Sequence, residues 1–159
     1  MLRRVLLAAL IAPALAAAQN ATVLGNVNQQ LADGSALLAA GRYEEGIRVT
    51  LAGLTTPNNA RDEAAARSNL CAGYAALKRW KEALDHCNRS IELDRNNWRT
   101  FNNRAAVFVG LKLYDLAMTD VNSGLEIAPN SSTLRKSREV VQQHREAAMR
   151  DRRRRPAKA

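Results

Sequence analysis

Leu70-Cys71-Ala72-Gly73-Tyr74 and Arg104-Ala105-Ala106-Val107-Phe108 lie 34 residues apart and place small and aromatic side chains at matching positions. The same offset lays Trp80-Lys81-Glu82-Ala83-Leu84 over Tyr114-Asp115-Leu116-Ala117-Met118, and Ser90-Ile91-Glu92-Leu93-Asp94 over Gly124-Leu125-Glu126-Ile127-Ala128. An upstream copy, Arg42-Tyr43-Glu44-Glu45-Gly46-Ile47, stands 37 residues before Arg79, and the three extra residues fit in the polar stretch from Thr56 to Asp62. A period of this length marks a repeat architecture, in which each unit is too small to bury its own apolar face and stacks on its neighbours.

Each unit reads as two helices. In the third, an amphipathic segment from Trp98 to Gly110 meets a turn at Leu111-Lys112-Leu113, and a second segment runs from Tyr114 to Ile127 until Pro129 stops it. Asn96-Asn97 supplies turn and cap chemistry ahead of the first helix. With aromatics at only 4% and alanine abundant, the core must form by close helix contact through small residues. Glycine inside a helix costs about 1 kcal/mol relative to alanine. Gly46, Gly53 and Gly124 therefore mark places where backbones approach.

This pattern resembles the tetratricopeptide repeat family. The matching residues are Ala105, Phe108, Ala117, Val121, Gly124 and Pro129 in the third unit, and Leu70, Cys71, Tyr74, Ala83, Cys87 and Ser90 in the second. The first unit is weaker: Gly34, Leu37, Gly46 and Gly53 fit, but Thr50 stands where an aromatic is usual. The resemblance implies an all-α fold, an α-α superhelix of three helix-turn-helix repeats over about 27–60, 64–97 and 98–131, within a repeat domain of 19–131. Residues 132–150, with Leu134, Val141 and Ala148 a heptad apart, read as a C-terminal capping helix, and 151–159 as a disordered basic tail.

The ends of the chain differ in character from the middle. Arg3 and Arg4 precede an apolar run from Val5 to Ala18 that Pro13 interrupts and Ala16-Ala17-Ala18 closes. That is the order of a secretory signal peptide cleaved after about residue 18, and it is shorter than the ~20 residues a bilayer requires. The product is expected to be exported, to the periplasm in a Gram-negative host. The net charge of +9 is unevenly placed: from Arg135 onward ten basic residues face three acidic ones, leaving +7, whereas residues 19–134 hold 12 of each sign. Only the C-terminal end argues for an anionic partner, a membrane surface, a cell-wall polymer or a nucleic acid, which makes an electrostatic tether docking through that tail the alternative function.

No phosphate loop, nucleophile elbow or paired histidines at metal-ligand spacing appears, so the chain reads as a non-enzyme without cofactor, metal or small-molecule substrate. His86 and His144 stand on different helices and read as surface residues. Cys71 and Cys87 occupy facing sides of the two helices of one repeat, where they serve either as a disulfide or as small packing thiols. Arg104 and Asp120 come together across the third repeat as a structural ion pair, a ligand-binding role for Arg104 being the alternative.

The family resemblance puts the binding surface on the concave face, lined by the first helix of each repeat. There the inward positions include Leu31, Ser35, Ser68, Asn69, Ala72, Arg99, Asn102, Asn103 and Ala106. Small side chains would open a groove for a protein or peptide partner, with Asn69 and Asn103 able to donate to and accept from its backbone. The plainer alternative is that these amides solvate an exposed helix face. Some family members hold a chaperone's C-terminal carboxylate with a clamp of Lys, Asn and Arg. Asn69 and Arg99 match that clamp, but Leu31, Ser35 and Asn103 do not. An exposed first-repeat helix also leaves room for pairing with a second copy.

Overall fold

A computed structural model describes residues 28–154, and the expected signal peptide lies outside them. The described residues form seven helices: α1 (Gln29–Ala39), α2 (Tyr43–Gly53), α3 (Ala60–Ala76), α4 (Trp80–Leu93), α5 (Trp98–Gly110), α6 (Tyr114–Ile127) and α7 (Ser132–Arg154). Packing is densest within the pairs α1/α2, α3/α4 and α5/α6; first helices also pack on first helices, and each second helix touches the repeat that follows. The result is an α-α superhelix of three helix pairs closed by α7.

Local sequence explains where these helices start and turn. The first helix of each pair opens on a side-chain cap: Asn28 accepts from the Leu31 N–H, Asn59 from Asp62, Asn97 from Arg99, and Ser131 caps α7 through Leu134. Asn59 starts α3 at residue 60, so the end of the polar stretch expected as linker becomes its first turn, with Asp62 and Glu63 complementing the helix dipole. Within each pair a left-handed residue makes the turn, Gly41 at φ 78°, Lys78 at 58° and Lys112 at 62°. The residue after each returns an N–H to a carbonyl five positions back: Arg42 to Leu37, Arg79 to Tyr74, Leu113 to Phe108. The recurrence of one turn geometry makes the three pairs superposable.

Small residues stand wherever paired helices touch. Ala83, Ala117 and Cys87 are fully buried and Ala105 is 1% exposed. In the first repeat the unexpected Thr50 faces Gly34, where a Cβ would come within 2.8 Å of the Thr50 backbone nitrogen. An aromatic there has no room; the Thr50 hydroxyl instead bonds back to the Gly46 carbonyl at 2.7 Å. Buried Ser90 donates to the Ala64 carbonyl at 2.7 Å within its own repeat and lies 2.9 Å from the Thr100 hydroxyl of the next.

Helix α7 caps the last repeat. Leu134 fills the space above Gly124, Val141 joins Ala105, Ala117 and Val121, and Ala148 is half-buried. The helix runs to Arg154 and not to 150, which corrects the expected start of a disordered tail; residues 155–159 lie outside the described part. Arginine has high helix propensity, and Arg152, Arg153 and Arg154 in the last turn face the negative end of the helix dipole.

Gly34→Ala and Ala117→Leu are each expected to destabilise the protein by ~1–3 kcal/mol through overpacking. Urea unfolding midpoints check this, and unchanged midpoints in both variants would contradict the close helix approach.

Candidate functional site

Helices α1, α3, α5 and α7 lie side by side and carry the residues expected on the concave face. The structure buries part of that set. Asn69, Asn102 and Asn103 are each only 4% exposed, and their side chains tie successive first helices together. Asn69 Nδ2 donates to the Ser35 hydroxyl at 3.0 Å. Asn103 Nδ2 donates to the Ser68 carbonyl at 3.1 Å and approaches its hydroxyl at 3.3 Å. Ser137 Oγ donates to Asn102 Oδ1 at 2.6 Å.

The pattern is a ladder in which one residue of a first helix meets the equivalent of its neighbour's next position. Ser68 meets Asn103 and Asn102 meets Ser137 in the same register. In the first repeat the place of Ser68 is taken by Leu31, which is 1% exposed in the core. Asn69 therefore reaches one helical turn further, to Ser35. These amides join helices and are not displayed to solvent; neither the expected display to a peptide nor simple solvation of a helix face describes them. Buried amides left without partners would cost ~1–3 kcal/mol, so the ladder also fixes the register of the stack.

What remains open on this face is small and apolar. Ala72 is three residues after Asn69, Ala106 three after Asn103 and Val140 three after Ser137, each on the same helix face as its ladder residue. Ala72 is half-buried, Ala106 exposed and Val140 46% exposed. Sequence reasoning stopped short of Ser137 and Val140, although the 34-residue offset carried once more from Asn103 and Ala106 reaches both.

Arg99 lies at one end of the groove. Its guanidinium sits 4.6 Å above the Trp98 ring, and its buried Nε has no partner among the described residues. Trp98 and Arg99 share a shallow polar depression with Ala128, Pro129, Asn130 and Ser131 to Thr133, beside the start of α7. Ser35 is tied to Asn69 and Leu31 is buried, so only Arg99 of the five clamp positions offers charge to the concave side.

Arg104 and Asp120 form a two-pronged ion pair, Nε to Oδ2 at 2.8 Å and Nη2 to Oδ1 at 2.7 Å. Arg104 also donates to Asn88 of α4 at 2.8 Å and lies 5.9 and 5.8 Å from the Phe101 and Phe108 ring centres. With every prong engaged, it braces α4, α5 and α6. His86 stacks on Tyr74 with ring centres 5.3 Å apart, and its Nδ1 is buried without a partner among the described residues. Burial, reinforced by the Arg67 charge, pushes its pKa down to about 4 against the opposing pull of Asp85 and Glu82, so it is a neutral packing group near pH 7. His144 stacks on Tyr114 at 5.9 Å. Among the described residues no three His, Cys, Asp or Glu side chains gather in a metal-binding group.

Cys71 on α3 and Cys87 on α4 are joined in a disulfide, with Cα atoms 5.2 Å apart and neither residue exposed. Of the two readings open from the sequence, the structure contains the bridge.

The architecture is that of a tetratricopeptide repeat solenoid, and solved structures share it. The first such domain of human RPAP3 superposes with a TM-score of 0.66 at 23% identity, covering 74% of this chain and 91% of that one. The Sgt2 domain from Aspergillus fumigatus gives 0.67 at 19%, covering 77% and 80%. The first domain of Spaghetti, solved with the HSP90 peptide SRMEEVD, gives 0.63 at 22%, covering 72% and 88%. No protein-family model matches the chain. Among curated proteins, mouse sperm-associated antigen 1 is 25% identical over 115 residues, 72% of this chain but 12% of that protein. Human peptidyl-prolyl cis-trans isomerase FKBP4 is 28% identical over 79 residues, 50% of this chain and 17% of that protein. This chain thus spans less than a fifth of either relative.

The bridge closes a loop between positions 71 and 87, and a cross-link across about 15 residues stabilises by ~3 kcal/mol. Denaturation with and without reductant should differ by that order; identical midpoints would mean the bridge leaves the fold unsupported.

Proposed function

We propose that this protein is a non-catalytic adaptor that holds a segment of a protein partner across its concave face. The observation that carries this reading is the row Ala72, Ala106 and Val140, an apolar strip left open beside the bonded amides of the helix layer. The Ala72 and Ala106 side chains end at Cβ and leave space for a partner's own side chains beside the exposed Val140, and the ladder beneath holds that space at fixed width. The Spaghetti domain solved with an HSP90 peptide, and the second RPAP3 domain solved with the HSP70 peptide SGPTIEEVD, support peptide binding by this architecture. With a single open cation at the clamp positions, anchoring here falls to apolar side chains and not to a terminal carboxylate.

Export to the cell envelope, with the periplasm as the compartment in a Gram-negative host, is part of the proposal. It is supported by the order of charged, apolar and small residues from Arg3 to Ala18 and by a disulfide, which persists in oxidising compartments.

Ala106→Trp fills the strip at an exposed position and is expected to weaken capture of an envelope partner at least ~10-fold, equal to a loss of about 1.4 kcal/mol, while leaving the unfolding midpoint unchanged. Asn103→Ala should do the reverse, lowering stability by ~1–3 kcal/mol because the Ser68 groups lose their donor. Crosslinking in the envelope fraction followed by titration with the purified partner measures both; full binding by Ala106→Trp sinks the groove reading. Export has its own test, since protein purified from its native host should begin near Gln19, and an intact Met1 would reject it.

A further inference from the structure

Positions 71 and 87 hold the innermost contact of the middle helix pair, and the outer pairs show what that contact requires. The repeat offsets carry Cys71 and Cys87 back 37 residues onto Gly34 and Thr50 and forward 34 onto Ala105 and Val121. All six are buried. In both outer pairs a small residue meets a branched one, and at Gly34 even one added carbon would come within 2.8 Å of the Thr50 nitrogen. The middle pair has no such small partner at this level. It places two cysteines across a Cα–Cα distance of 5.2 Å, where they fit as bonded atoms.

Bonded sulfurs stand about 2 Å apart, whereas unbonded heavy atoms settle at about 3.5–4.0 Å. In the dithiol form the same two side chains therefore need more room than the closed contact gives them, and both are enclosed in the core cluster with Leu70, Tyr74, Ala83 and Val107. Parting α3 from α4 relieves such overpacking.

That movement reaches every repeat. Ser68 and Asn69, within one turn before Cys71, hold α3 to Asn103 on α5 and to Ser35 on α1. Ser90, one turn after Cys87, joins α4 to the Ala64 carbonyl on α3 and to Thr100 on α5, and Cys87 Sγ itself lies 3.7 Å from the Thr100 carbonyl. The middle pair thus carries the bonds that tie the first repeat to the second and the second to the third.

We infer that the Cys71–Cys87 bond is a redox latch on the concave layer: the dithiol chain has an opened middle pair and an unassembled ladder, and oxidation closes both. The two thiols give up two protons and two electrons to a disulfide-carrying oxidant. One cysteine thiolate attacks that disulfide and forms a mixed disulfide; the second displaces the remaining oxidant sulfur, so two oxidant thiols leave as the protein bond forms. Because both cysteines are fully buried in the closed pair, exchange takes place while the pair is open, and the finished bond is shielded from reductant. That the latched layer is a binding groove rests on the function proposed above; the opening itself does not.

Hydrogen–deuterium exchange tests this on the whole chain, refolded either with the bond intact or in dithiothreitol. Amides of α3 and α4 should exchange at least ~10-fold faster in the dithiol protein, measured against those of α6 and α7, because repeats coupled only to their neighbours open locally. Unchanged exchange in α3 and α4 overturns the inference, and so does an equal acceleration in every helix, which makes the bond a general staple. The double variant Cys71→Ala, Cys87→Val installs the third repeat's pair and should not respond to dithiothreitol. The same acceleration there means that the reductant acts elsewhere and also overturns the latch. No partner enters these measurements, so full binding by Ala106→Trp would reject the groove and leave the latch standing.

Discussion

Paired helices in this protein approach until backbone nearly meets backbone, and everything else in the structure accommodates that distance. At Gly34 a single added carbon would press on the Thr50 main chain, and at Gly46 it would come within 2.8 Å of the Leu38 nitrogen. Alanines fill the same role in the later repeats, where Ala83 and Ala117 are completely enclosed. Close approach brings many weak dispersion contacts into range at once, which lets a chain with few aromatics form a dense core. It also restricts each contact position to a short list of residue types, and so the repeat is visible at all.

Close packing of apolar groups does not by itself set how one repeat is rotated against the next. That role falls to polar groups inside the stack. Ser90 between Ala64 and Thr100, and the bonds of Asn69, Asn103 and Asn102 to serines of adjoining helices, have directional requirements that a sliding interface cannot meet. Arg104 adds a brace on another side by joining Asp120 and Asn88. The disulfide ties the middle pair, on which both outer repeats lean. Covalent and hydrogen-bonded restraints are thus concentrated at the centre of the stack.

This arrangement separates support from recognition. The amides that look most suited to bind a peptide are buried as structure, while the side chains left to meet a partner are short and apolar. Charge sits elsewhere, on Arg99 at one end of the groove and on the far end of α7.

Periodicity in the sequence determined the number of helices, the bounds of α5 and α6 and the small residues at their contacts, because 34-residue spacing and backbone approach both restrict residue type at fixed positions. It also brought Cys71 to Cys87 and Arg104 to Asp120, since both pairs lie within one repeat, where the turn fixes the relative height of two helices. What the tertiary structure alone decided lies between repeats. Whether Asn69 faces water or the Ser35 hydroxyl depends on the rotation of one helix against another 34 residues away, and no local pattern encodes that angle. The same holds for α7: its charge density alone suggested disorder after residue 150, but docking through Leu134 and Val141 anchors the helix, and propensity and dipole carry it on to Arg154.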